Sequence, residues 1–141
     1  RDALDLEGYQ PPLAPDTHNF PSPGDASMVM FGTLPWNGGD YYEGFRSTTV
    51  PSISSLEINI DIVSNGLSAC GFQTADVIVN GTTVGQFTIS QGTVAIDEVY
   101  AIAPAIAGPD YTIRYQTVAT VESGCGAAGY SDTTSTVTFN P

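Results

Sequence analysis

Asp-Val-Ile-Val-Asn-Gly-Thr-Thr-Val-Gly-Gln-Phe-Thr-Ile, residues 76–89, reads as a β-hairpin closed by Asn80-Gly81. A two-residue Asn-Gly loop suits the type I′ turn, which needs positive φ at both central positions and matches the twist of the flanking strands. The turn pairs Val79 with Thr82 and Val77 with Val84. Phe87 and Ile89 fall on the opposite parity from Val84, so Gly85 is expected to bulge the strand and re-phase it toward one core.

Alternation of the same period surrounds the hairpin. Leu56, Ile58, Ile60 and Ile62 alternate with Glu57, Asn59, Asp61 and Val63, the pattern of a half-buried strand. Val94, Ile96, Tyr100 and Ile102 form another period-2 set, which Pro104 is expected to close. Tyr111, Ile113 and Tyr115 alternate with Thr112, Arg114 and Gln116 in a strand expected to run to Val121. Met28–Leu34, Tyr41–Val50 and a last strand carrying Val137 and Phe139 complete about eight strands, with no competing helical period. The spacing predicts an all-β fold, a two-sheet antiparallel β-sandwich of jelly-roll type, over residues 28–141.

Residues 1–27 differ. Pro11, Pro12, Pro15, Pro21 and Pro23 favour extended chain over helix or central strand. Ahead of them, residues 2–9 carry a short alternation with Leu4 and Leu6 on one face and Tyr9 at its end. These features predict an extended arm: a small donor strand on a tether that over residues 10–26 could reach about 50 Å. Such a strand would dock on a neighbouring copy of the chain through main-chain hydrogen bonds, and repeated head to tail it would build a filament.

Composition sets the limits. The chain has 141 residues, enough for one domain with its own core. Three basic residues (Arg1, Arg46, Arg114) stand against 15 carboxylates, for a net charge of −12. That excludes the basic footprint that nucleic acid requires and disfavours anionic membrane surfaces. No apolar run is long enough to span a bilayer. Lysine is absent, which removes one device that blocks edge-to-edge strand pairing. The chain begins at Arg1 and is read as a processed mature form or an excised domain. Cys70 and Cys125 sit in Gly-rich loops. As a disulfide they would close about 55 residues and contribute about 4 kcal/mol on the chain-entropy estimate, which suits an extracellular or cell-surface protein.

Each candidate site has a plain packing alternative. His18 is the sole histidine and lies in the Pro-rich arm, with no rigid nucleophile beside it. Glu57, Asp61, Asp97, Glu98 and Glu122 could serve glycoside hydrolysis only across a cleft, which nothing in the pattern suggests. No catalytic residue is assigned, and the chain is read as a non-enzyme without an obligatory cofactor. Asp25, Asp40 and Glu43 are the oxygen ligands for a candidate calcium site. Trp36, Asn37, Tyr41 and Tyr42 form a candidate glycan platform; on the packing alternative, Trp36 and Phe45 plug the end of the core and the two tyrosines face opposite ways. Asn80-Gly81-Thr82 matches the N-glycosylation acceptor pattern, and the Ser/Thr-rich residues 131–138 suit O-glycans or simply a strand. Two functions follow: a secreted structural subunit of an extracellular filament, joined to copies of itself by strand exchange, or alternatively a carbohydrate-binding or adhesive module of a larger secreted protein.

Overall fold

Asn80 and Gly81 adopt φ of 48° and 82°, the left-handed pair that a type I′ turn demands. In the computed structural model, residues 13–21, 39–121 and 131–141 are described. Eight strands lie among them: β1 (Asp16–Asn19), β2 (Tyr41–Ser47), β3 (Ser52–Asn65), β4 (Gly71–Val79), β5 (Thr82–Ser90), β6 (Ala95–Ala107), β7 (Asp110–Val121) and β8 (Ser131–Asn140). They form two four-stranded sheets, in the orders β1-β8-β3-β6 and β2-β7-β4-β5, and every pairing is antiparallel. Except at the β4–β5 hairpin, each connection crosses from one sheet to the other. This is the jelly-roll sandwich that the alternation predicts.

The core lies between the sheets and is filled by the residues whose parity points inward. Leu56, Ile58 and Ile60 of β3 meet Ala75, Val77 and Val79 of β4, Tyr111, Ile113 and Tyr115 of β7, and Val137 and Phe139 of β8. Tyr111 stacks on Phe139 with ring centroids 5.0 Å apart, and its buried hydroxyl donates to the Val50 carbonyl at 2.7 Å. That bond satisfies the polar end of an otherwise apolar ring.

The re-phasing of β5 also occurs. Val79 pairs with Thr82, but Val77 pairs with Gly85 and Ile78 with Thr83, so Val84 is the extra residue. Beyond this bulge Phe87 and Ile89 are buried.

Two expectations about β6 fail. Val94 is 77% exposed and precedes the strand. Pro104 does not close it, because β6 runs on to Ala107. The ladder jumps from Ile53–Ile106 to Ser55–Ala101, so residues 102–105 bulge opposite Ser54. β6 is a sheet edge, where a residue lacking an N–H is tolerated. The same proline and bulge interrupt the edge against pairing with another chain.

The arm is the larger correction. Residues 16–19, placed by sequence in a tether, form edge strand β1 against β8 of their own domain, with Asp16 opposite Phe139 and Asn19 opposite Thr136. Phe20 follows, fully buried, its N–H donating to the Ser135 carbonyl at 3.0 Å. Arg46 turns inward and donates from Nε and Nη2 to the Asn19 carbonyl at 3.1 and 2.9 Å. The expected strands at 2–9 and at Met28–Leu34 lie outside the described residues, as do Leu4, Leu6 and Tyr9.

Asp16 pins β1 from its other end. Its Oδ2 lies 3.1 Å from His18 Nε2 and accepts the Thr49 N–H at 3.0 Å. The His18 contact first, and the Thr49 N–H with it, hold the carboxyl below its ordinary value of 3.8 against a smaller opposing effect of burial. A depressed folded-state value means that the unfolded chain binds more protons near pH 4. The contribution is therefore complete above that range and disappears as pH falls through the folded value. Asp16→Asn should destabilise the protein at pH 7, and in urea unfolding at an acid pH below the unfolded value of about 3.8 its difference from the parent should shrink. An equal difference at both pH values would remove the carboxylate from this account.

Candidate functional site

Alternation along β2 puts Tyr41, Glu43 and Phe45 on the solvent face of the β2-β7-β4-β5 sheet, while Gly44 and Arg46 point inward and are buried. Phe45 is 60% exposed. The register sets Glu43 beside Arg114, Phe45 beside Thr112 and Tyr41 beside Gln116. Gln116 then pairs with Asp76, and Asp76 with Gln86. Tyr41, Gln116, Asp76 and Gln86 thus form one row across all four strands, which lie about 4.8 Å apart. Beside that row a depression of about 320 Å³ is lined by Glu43, Ile78, Gly81, Thr112 and Arg114.

Hydrogen bonds fix these side chains. Arg114 donates to Glu43 Oε2 from both Nε and Nη2, each at 2.8 Å. Its guanidinium also lies 4.0 Å from the centroid of the Tyr41 ring, within cation–π range. Gln86 Nε2 donates to Asp76 Oδ1 at 2.9 Å, and the Thr74 and Thr88 hydroxyls meet at 2.9 Å. Tyr41 and Phe45, four residues apart on one strand, stand roughly 13 Å from each other by strand rise, with the ion pair between them. An exposed ring beside fixed planar amides and carboxylates can stack on an apolar ring face and bind the hydroxyls around its rim.

The sequence-derived platform is only partly reproduced. Tyr41 faces out, but Tyr42 faces the core margin, its ring 6.0 Å from that of Phe20 in an edge contact. Trp36 and Asn37 lie outside the described residues. Phe45, assigned on the packing alternative to plugging the core, instead projects into solvent.

Of the oxygen ligands proposed for calcium, only Asp40 and Glu43 are among the described residues. Asp25 lies outside the described residues, and Glu43 is committed to Arg114. Asp40 precedes β2, and its carbonyl accepts the Thr117 N–H at 2.7 Å. Among the described residues no group of three or more metal-ligating side chains occurs.

Cys70 is disulfide-bonded; Cys125, its expected partner, lies outside the described residues. Asn80 is exposed, but its side chain already serves the fold: Oδ1 accepts the Thr112 N–H at 2.9 Å, and Nδ2 lies 3.4 Å from the Ala107 carbonyl. Glu57, Asp61 and Asp97 fall on the outer face of the opposite sheet, where Asn59 Nδ2 donates to Asp97 Oδ1 at 2.7 Å.

The strand period of β7 already set Arg114 and Gln116 outward. What the sequence lacked was the register that joins them to Asp76 and Gln86 across neighbouring strands.

No family model and no curated relative matches the chain. Among solved structures, it resembles the C-terminal CBM6 of LamC, a marine laminarinase from Zobellia galactanivorans, with a TM-score of 0.53 and 13% identity over 87% of this chain and 99% of that one. A family 35 carbohydrate-binding module from Clostridium thermocellum aligns at a TM-score of 0.46 and 17% identity, over 88% and 98%. Carbohydrate-binding module CBM36 in complex with calcium and xylotriose aligns at 0.40 and 16%, over 87% and 86%. The first of these likenesses shows a shared jelly-roll sandwich.

Proposed function

We propose that this protein is a non-catalytic carbohydrate-binding module of a secreted or cell-surface protein, and that the outer face of the β2-β7-β4-β5 sheet is its glycan surface. The observation that carries this reading is Phe45, a large aromatic left 60% exposed on the same face as a polar row crossing four strands, roughly 13 Å along β2 from that row with the Glu43–Arg114 pair between. Phe45 shares its face with ordered polar side chains, the combination of apolar surface and a few fixed polar groups that ligand sites use. In this reading Phe45 stacks on a sugar ring. Gln116, Asp76 and Gln86 bind hydroxyls along the chain of the glycan, and Tyr41 is held as a fixed edge by Arg114. The fold shared with the CBM6 of LamC supports the same role. The filament reading has no comparable support: its donor strand, residues 2–9, lies outside the described residues, and residues 16–19 of its expected tether pair with β8 of the same domain.

Affinity electrophoresis against uncharged xylan and β-glucan tests the proposal. Phe45→Ala should weaken binding about tenfold, the loss expected when one stacking aromatic is removed, with unchanged thermal unfolding. Gln116→Ala should weaken it less. Loss with Trp36→Ala but not with Phe45→Ala would move the site to the loop of residues 36–40. A chelator control reads any calcium requirement.

A further inference from the structure

We infer that Glu43 is a specificity-determining residue that restricts this face to uncharged glycans by masking its one cation. The inference rests on the reading of the face as a glycan surface. Among the described residues Arg114 is the only cation on this face, since Arg46 is buried beneath it and His18 belongs to the opposite sheet. An acidic sugar is recognised most effectively by a guanidinium that offers two parallel N–H groups to a carboxylate. Here the edge formed by Nε and Nη2 is spent on a single oxygen of Glu43, at 2.8 Å from each nitrogen. Tyr41, whose ring lies 4.0 Å away, fixes the guanidinium plane and opposes its turning toward a ligand. A uronate approaching Arg114 would also meet the Glu43 carboxylate and then Asp76, two strands from Glu43 in the adjacent row. Among the described residues the face therefore presents ordered donors and acceptors for hydroxyl groups, and no unneutralised positive charge.

Exposure permits rearrangement. The side chains of Arg114 and Glu43 are 32% and 31% exposed, so replacing the carboxylate by an isosteric amide keeps the packing while returning a net positive charge to the site. Glu43→Gln should then acquire affinity for an acidic polymer that the parent ignores.

The test uses polygalacturonate as the acidic probe, with uncharged xylan and β-glucan alongside. It is run near 0.15 M salt, where the Debye length of about 8 Å suppresses the effect of the overall charge of −12. Far-UV circular dichroism checks that each variant is folded. Glu43→Gln should bind polygalacturonate at least tenfold more tightly than the parent, and the gain should vanish in the double variants Glu43→Gln/Arg114→Gln and Glu43→Gln/Phe45→Ala. Retention of the parent by polygalacturonate, or no gain in a folded Glu43→Gln protein, would overturn the masking role while parent binding to the uncharged polymers stood. A gain that survives Arg114→Gln would equally overturn it. Failure of the parent to bind any uncharged polymer would sink the glycan-surface reading itself, and this inference with it.

Discussion

Phe20→Ala should lower folding stability by about 3–5 kcal/mol, the range for deleting a fully buried aromatic. The ring is inaccessible to solvent and sits edge-on to Tyr115 with centroids 4.9 Å apart. The Arg46 guanidinium lies 5.4 Å from its centroid. Tyr115 and Arg46 are themselves buried, so little could collapse to fill the space. Truncation also loosens the seating of β1, because the Asn19 carbonyl bound by Arg46 is held in place by the residue after it. Urea unfolding measures the loss, and a double-mutant cycle with Arg46→Met should show coupling between the two side chains. A cost below about 1 kcal/mol would mean that residues 13–21 are not part of the folded unit. The result bears on function, because an N-terminal segment fixed in its own core at residue 20 is no free tether from residue 10 to residue 26.

Gly85→Val should be the second large effect. A Cβ built at Gly85 would meet Cδ1, Cε1 and Cγ of Tyr100 at 2.1, 2.3 and 2.5 Å, distances no real contact tolerates. Tyr100 comes from β6 of the opposite sheet, so its ring closes the seam between edge strands β5 and β6. The glycine is there because the ring lies against bare backbone, and the bulge at Val84 brings that backbone into position. Relief requires the ring to swing out, giving up its hydroxyl contact with the Gln86 carbonyl. Overpacking of this kind costs about 1–3 kcal/mol, and the branched side chain should place valine at the upper end. Adding Tyr100→Ala to Gly85→Val should recover most of the difference in a thermal or urea melt. No recovery would show that backbone geometry at Gly85, rather than the ring above it, dictates the residue.

Hairpin, alternation and re-phasing were legible because each is written in neighbouring residues. The Asn-Gly turn declares itself, as do the alternate apolar positions of β3 and β7. The failures share a different cause. Asp-Thr-His-Asn, the sequence of β1, carries no apolar alternation and is flanked by prolines. Its place in the sheet is secured by Phe20 and Arg46, whose meeting across 26 positions no local pattern reveals. The same contact explains why the packing alternative misplaced Phe45. The inward positions of β2 carry Gly44 and Arg46, inverting the usual rule, because the guanidinium serves the Asn19 carbonyl and the Phe20 ring. The aromatic between them must therefore face water. Pro104 misled for want of knowing that β6 is an edge. The candidate face depended most on register: Glu43, Arg114, Asp76 and Gln86 come from four strands that only the assembled sheet makes neighbours.

The hairpin turn carries a consequence for chemical ageing. Asparagine before glycine is the pair most prone to lose ammonia, through attack of the following backbone nitrogen on the side-chain carbonyl carbon. That reaction needs the asparagine to rotate freely. Asn80 is held in a left-handed conformation, with its side-chain oxygen and its own N–H both bonded to the Thr112 backbone. The folded protein should therefore resist deamidation at a site where the unfolded chain is most vulnerable to it.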